Sequence, residues 1–174
     1  LRPDSEVAPL MARIDDRRGK DFHFQPVDIA ELVRGVVADF GVPAGRQAPA
    51  AVLPGGLRAV RADPGKLEQA VRNLLSNAYK YSPDGGDVTV SVIDGDDGRI
   101  GVQVADEGMG MTADQVSHVF ERFYRADASG NIPGTGLGMA IVKEILELHG
   151  GEAVVNSIPG VGTTVTLWLK AITS

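Results

Sequence analysis

Three stretches of the chain repeat apolar residues at intervals of three and four. After Asp28 these are Ile29, Leu32, Val33, Val36, Val37 and Phe40; after Asp63 they are Leu67, Ala70, Val71, Leu74, Leu75 and Ala78. The third set is Leu137, Ile141, Ile145 and Leu148. Such spacing lays one apolar stripe along a helix, so three amphipathic helices are predicted, the second over residues 63–81. The punctuation agrees. Asp28 offers an N-cap, and Asp63-Pro64 pairs a cap with a proline at the first helical position. Gly41 with Pro43, and Gly150-Gly151, close the first and last helices. A shorter helix is expected over 112–120. Leu10, Met11 and Ile14 mark the end of a helix or linker before Arg17, Arg18 and Gly19.

Elsewhere the period changes to two. Val88, Val90 and Val92, then Ile100, Val102 and Val104, alternate with polar residues, and the loop 94–98 joins them as a hairpin. Phe22 and Phe24 alternate with His23 and Gln25 in a short strand expected to stop at Pro26. Residues 50–53 and 57–62 read as a strand pair turning at Pro54-Gly55-Gly56. Residues 152–157 pair with 163–169 through Pro159-Gly160. Hairpins mixed with helices predict an α/β (α+β) two-layer sandwich: a mixed, mostly antiparallel sheet with helices on one face.

Composition narrows the chemistry. A chain of 174 residues suits one full domain. Its net charge of −6 argues against a nucleic-acid partner, which would call for a basic face. It has no cysteine, which removes disulfides, thiolate zinc sites and cysteine nucleophiles. No apolar run reaches the ~18–20 residues of a membrane span, so a cytoplasmic domain is expected, with room for a membrane anchor upstream.

Five local patterns carry candidate chemistry. Asn73, Asn77 and Lys80 fall at i, i+4 and i+7, on one helix face away from the leucine stripe. They suit either a solvated surface or a phosphate and Mg²⁺ face, because an amide oxygen is a hard neutral ligand and lysine neutralises phosphate. Asp106 ends a strand and begins Asp106-Glu107-Gly108-Met109-Gly110. A carboxylate there accepts from the exocyclic amine of adenine and repels the oxygen of guanine; an acidic turn explains it as well. Gly134-Thr135-Gly136-Leu137-Gly138 opens the last helix, where free N–H groups and the helix dipole favour phosphates. It fits neither the dinucleotide fingerprint nor the Walker loop. Phe120 and Phe123 are expected to anchor a segment whose Arg122 and Arg125 face anions, ahead of a lid over 126–134. Gly160-Val161-Gly162-Thr163-Thr164 suits a tight turn or a nucleotide contact.

In this order and spacing, the patterns resemble the catalytic domain of sensor histidine kinases, within the gyrase-like (Bergerat) ATPase fold. "NLLSNAYKYS" is similar to that family's N box, "DEGMG" to its first glycine box and "FERFYRAD" to its F box. "GTGLGMAIV" and "GVGTT" are similar to the second and third glycine boxes. The likeness covers about residues 22–170. It implies a cleft that binds ATP with Mg²⁺ and serves a protein-histidine kinase. Asn77 would ligate Mg²⁺, with Asn73 and Lys80 near the phosphates and Tyr81 beside the base or ribose. Asp106 would hold the adenine amine over a floor shaped by Gly108 and Gly110, with Met111 lining it. Arg125 would reach the γ-phosphate, with Arg122 and Tyr124 as further contacts. Gly134, Thr135, Gly136, Leu137 and Gly138 would form the phosphate loop, and Thr164 would lie near the adenine. Catalysis is thereby assigned to Asn73, Lys80 and Arg125. In ATP-hydrolysing relatives a glutamate occupies the position of Asn73; its replacement here fits transfer to a histidine rather than to water.

The resemblance also implies partners. The family's phosphoacceptor lies in a histidine-glutamate-leucine-arginine pattern that this chain lacks. His23, His118 and His149 are expected to be structural, His149 through charge–dipole interaction at a helix end. Residues 1–20 would then be the tail of a dimerisation helix and linker, and 21–174 the catalytic domain of a longer, homodimeric protein with a response regulator as its partner. Such a fragment should not phosphorylate itself. The alternative on the same fold is a non-kinase nucleotide-binding regulatory module, or a serine kinase of the anti-sigma type.

Overall fold

The computed structural model describes residues 22–95, 97–124 and 138–172. Along these, the order is β1 (Gln25–Val27), α1 (Ile29–Asp39), β2 (Ala50–Val52), β3 (Val60–Ala62), α2 (Pro64–Lys80), β4 (Val88–Asp94) and β5 (Arg99–Asp106). Then follow α3 (Ala113–His118), α4 (Gly138–Leu148), β6 (Glu152–Ile158) and β7 (Gly162–Lys170). A five-stranded sheet runs β2-β4-β5-β7-β6, antiparallel except for the parallel β2–β4 edge pair. The expected mixed sandwich is therefore the observed one.

Alternation along the strands sets the layers. Val88, Val90, Val92, Ile100, Val102, Val104, Leu167 and Leu169 are buried in one core with the stripes of α1, α2 and α4. The opposite sheet face carries Trp168, whose ring sits so close over Gly101 that a Cβ there would lie 2.8 Å from it. Arg99 covers the same indole at 4.9 Å. Both long helices start as their caps predict: Asp28 accepts from the Glu31 N–H, and Asp63 from the Lys66 N–H at 3.0 Å.

Two strand expectations fail. Residues 50–62 do not form a hairpin: β2 lies parallel on β4, while β3 pairs antiparallel with β1 in a separate two-stranded sheet. The apolar contrast explains the split, because Val60 and Ala62 are buried whereas all three β2 residues are exposed at the sheet edge. The first strand also begins after Phe24 and contains Pro26, which a short edge pairing tolerates. Phe22 and Phe24 instead pack around the His149 ring, at 5.5 and 5.2 Å.

His149 itself departs from the charge–dipole expectation. Its Nδ1 donates to the Ile145 carbonyl at 2.7 Å, and its Nε2 accepts the Asp63 N–H at 3.1 Å, which fixes a neutral tautomer. Burial lowers its pKa, against the opposing pull of the Ile145 bond and of Asp63. Asp63 accepts in turn from the His23 N–H at 2.8 Å. Burial alone would raise the pKa of Asp63, but the N–H groups of His23 and Lys66 outweigh it and the pKa falls.

Candidate functional site

Helix α2 forms one wall. Its apolar stripe faces the core, which leaves Asn73, Asn77 and Lys80 half-buried along another face. Asn73 Nδ2 donates to the Gly138 carbonyl at 3.3 Å, tying this face to the first residue of α4. A Cβ on Gly138 would lie 3.8 Å from Asn77 Oδ1, so that amide also borders the start of α4. The two asparagines are thus gathered at a helix N-terminus, a setting that favours anions. Among the described residues no group of three or more His, Cys, Asp or Glu side chains could cage a metal. A Mg²⁺ here would take one amide oxygen from Asn77 and fill its other positions with phosphate oxygens and water, as that ion ordinarily does.

At the other end of α2, Tyr81 is the C-cap, and its carbonyl accepts the Met109 N–H at 3.0 Å. That bond docks the loop after β5 onto the helix. From Asn73 to Tyr81 the helix rises about 12 Å, the scale of an extended nucleotide. Asp106 lies at the base of the docked loop. Its Oδ1 accepts the N–H groups of Gly108 at 2.9 Å and Thr163 at 3.3 Å. Burial raises its pKa, and those two N–H groups hold the rise in check. A half-buried carboxylate at a strand end, with both described hydrogen bonds on one oxygen, is a prepared acceptor.

The glycines around Asp106 serve the protein's own backbone crossings. A Cβ on Gly108 would lie 2.2 Å from the Tyr81 carbonyl oxygen, and one on Gly110 would lie 2.0 Å from that of Ile158. Gly110 also adopts φ +66, and a Cβ on Gly162 would meet the Asp106 carbonyl at 2.1 Å. The third glycine turn, which adds little when read as sequence, is thus the buttress of the Asp106 loop. Met111 donates its N–H to Ser157 Oγ there, at 2.7 Å.

Thr164 stands one residue along β7 from the partner of Asp106. Asp106 pairs with Thr163, and Thr164 pairs with Ala105. Because side chains alternate across a strand, Thr163 shares the helix-covered face with Asp106, and Thr164 points to the opposite face. Phe120 packs against the core as expected, but Phe123 does not: it is 49% exposed and holds φ +66. Arg122 is exposed, and Tyr124 stacks on His118 at 5.5 Å. Arg125, Gly134, Thr135, Gly136 and Leu137, and the lid expected over 126–134, lie outside the described residues.

Arg46 is a contributor with no motif to announce it. Its guanidinium donates to the Ser82 carbonyl at 2.8 Å, to Ser82 Oγ at 3.1 Å and to the Gly86 carbonyl at 3.4 Å. It also lies 5.0 Å over the Tyr79 ring. A cation thereby sits at the C-terminal end of the helix that carries the asparagines and Lys80, where it reaches the Tyr79 carbonyl of the last turn at 3.5 Å.

A family model described as histidine kinase-, DNA gyrase B- and HSP90-like ATPase matches residues 62–173. The sensor histidine kinase WalK of Bacillus subtilis is 44% identical over 113 residues, covering 63% of this chain and 18% of WalK. ShkA, solved full-length in complex with AMPPNP, superposes with a TM-score of 0.72 at 26% identity, covering 98% of this chain and 37% of that one. The mycobacterial sensor histidine kinase MprB gives a TM-score of 0.72 at 29% identity, covering 85% of this chain and all of that one. The chain thus spans well under half the length of WalK and of full-length ShkA.

Proposed function

The chain belongs to the histidine kinase-, DNA gyrase B- and HSP90-like ATPase family, and from that premise we propose that it is the phosphoryl-donating catalytic domain of a two-component sensor kinase. It binds Mg-ATP with the base at Asp106 and the phosphates between Asn73, Asn77, Lys80 and the start of α4. A histidine of a dimerisation domain attacks the γ-phosphorus, the bond to the β–γ bridging oxygen breaks, and ADP leaves. The phosphoryl group then passes to a response-regulator aspartate. Residues 21–174 form this domain, and 1–20 are the tail of the dimerisation helix and linker in a homodimer. Asn77 Oδ1 would hold Mg²⁺, and the ion when bound would offset charge on the triphosphate. The protein contributes positioning and cationic charge, from Lys80 and from Arg125.

One observation carries the reading. A single helix joins an asparagine pair at the N-terminus of α4 to the loop that presents Asp106, at a nucleotide's length. Among the described residues, no helix is long and apolar enough to cross a membrane.

The test is reconstitution. Mixed with radiolabelled ATP and a separately supplied dimerisation domain from the same protein, the chain should label a histidine of that domain and remain unlabelled itself. Rapid labelling of His23, His118 or His149 in the isolated chain, or acid-stable label on a serine, would overturn the assignment.

A further inference from the structure

One hydroxyl joins the three backbone segments around Asp106. Ser157, on β6, accepts the Met111 N–H at 2.7 Å. Its oxygen also lies 3.1 Å from the Gly162 carbonyl and 2.8 Å from the Thr163 hydroxyl. A hydroxyl carries one proton and two lone pairs. All three bonds coexist when Ser157 donates to Gly162 and accepts from Met111 and Thr163. The Thr163 N–H in turn donates to Asp106 Oδ1, beside that of Gly108. One residue farther along the hairpin, the Ile158 carbonyl crosses Gly110, and the Gly160 N–H donates to the Met109 carbonyl at 2.7 Å.

The loop 106–111 is therefore held at both ends. At its entry, Thr163 and Gly108 fix one carboxylate oxygen; at its exit, Ser157 fixes Met111. Among the described residues Ser157 belongs to both fastenings, since it holds Met111 directly and Thr163 through the hydroxyl pair. We propose that Ser157 is a positioning residue for base selection: it keeps the 106–111 loop and the start of β7 in register, so that Asp106 presents Oδ2 to the exocyclic amine of adenine. This rests on the assignment of adenine to Asp106. Without the hydroxyl, Asp106 still has its carboxylate but must be ordered by the ligand, and that ordering is subtracted from affinity. The loss falls on the amine contact and spares the phosphates, which are held at the far end of α2.

Calorimetric titration of the 174-residue chain with ADP and with inosine diphosphate separates the two. Inosine carries a carbonyl oxygen in place of the amine, so the wild type should prefer ADP. Ser157→Ala should lose about five- to tenfold in ADP affinity, the scale of one positioning hydrogen bond, and leave inosine diphosphate unchanged. Ser157→Thr, which keeps the hydroxyl, should restore the preference. Equal weakening of both ligands by Ser157→Ala, or an undiminished preference, overturns the inference and leaves the Asp106 assignment standing. A wild type without preference overturns the Asp106 assignment, and this inference with it. Should Ser157→Ala fail to fold, Ser157→Cys, close in volume and weak in hydrogen bonding, carries the same expectation and is refuted by the same results.

Discussion

Replacing Asp106 with asparagine changes one atom and reverses the hydrogen-bonding sense of the oxygen offered to the base. The Gly108 and Thr163 N–H groups, at 2.9 and 3.3 Å, can still donate to the amide oxygen, so the loop keeps its fastening. What faces the ligand is then an NH₂ group, set against the NH₂ of adenine. A hydrogen bond to a charged group is worth about 1.5–3 kcal/mol, which corresponds to roughly ten- to a hundredfold in Kd. Stability should respond in the other direction. Burial disfavours the charged form of Asp106 and raises its pKa, so at neutral pH the folded state bears a cost that the neutral amide does not. The Asp106→Asn variant should therefore unfold at the same temperature as the wild type or higher, while calorimetry shows at least tenfold weaker ADP binding. In the wild type, ADP affinity should fall on acidification at a higher pH than an ordinary aspartate would give. Unchanged ADP affinity in Asp106→Asn removes the adenine role. Loss of affinity together with a lower unfolding temperature would mean the loop had collapsed, which contradicts the fastening described above.

Two further perturbations probe the frame around the site. Arg46→Ala should cost about 1–3 kcal/mol in chemical denaturation, because it strips donors from the Ser82 and Gly86 carbonyls and a cation from the Tyr79 ring; Arg46→Lys should recover part of this, and an unmoved midpoint would remove its capping role. His149 has a folded pKa below its unfolded value of about 6.5, so the unfolded chain takes up the proton first and stability is lost as pH falls below about 6.5. Exposed His118, raised by Glu121 and Asp114, acts with the opposite sign: its contribution is present below the unfolded pKa and lost as pH rises through the folded one. Between pH 7 and 5, His149→Phe should lose less stability than the wild type in urea titrations, and equal slopes would contradict a buried neutral imidazole.

Local pattern made part of this molecule legible. The stripes of α1, α2 and α4 bury one face each, so their period shows without knowledge of the partner. Asp63-Pro64 marks the start of α2 because cap and proline act within one turn. The failures share a cause in long-range pairing. Val60 and Ala62 go to β1 rather than β2 because their partners are about 35 residues away, and Pro54-Gly55-Gly56 imitates the turn of a hairpin that never forms. His149 shows only a helix end in the sequence, whereas the Asp63 N–H, 86 residues earlier, fixes its tautomer, and burial keeps it neutral. Arg46 stands in a segment without period, and nothing nearby points to the helix it caps. Gly108, Gly110 and Gly162 are recognisable as necessary, but what requires them is backbone crossing backbone. The sheet face on which Thr164 stands turns on strand register: Thr163 pairs with Asp106, and a one-residue slip would exchange the two faces.

The central claim is one nucleotide lying along α2. Its most direct measurement is a crystal structure of the chain grown with AMPPNP and Mg²⁺. The account predicts the exocyclic amine of adenine within hydrogen-bonding distance of the Asp106 carboxylate, Mg²⁺ on Asn77 Oδ1, and the phosphates at the start of α4. A nucleotide bound elsewhere, or with its base at the asparagines and its phosphates toward Asp106, would contradict it.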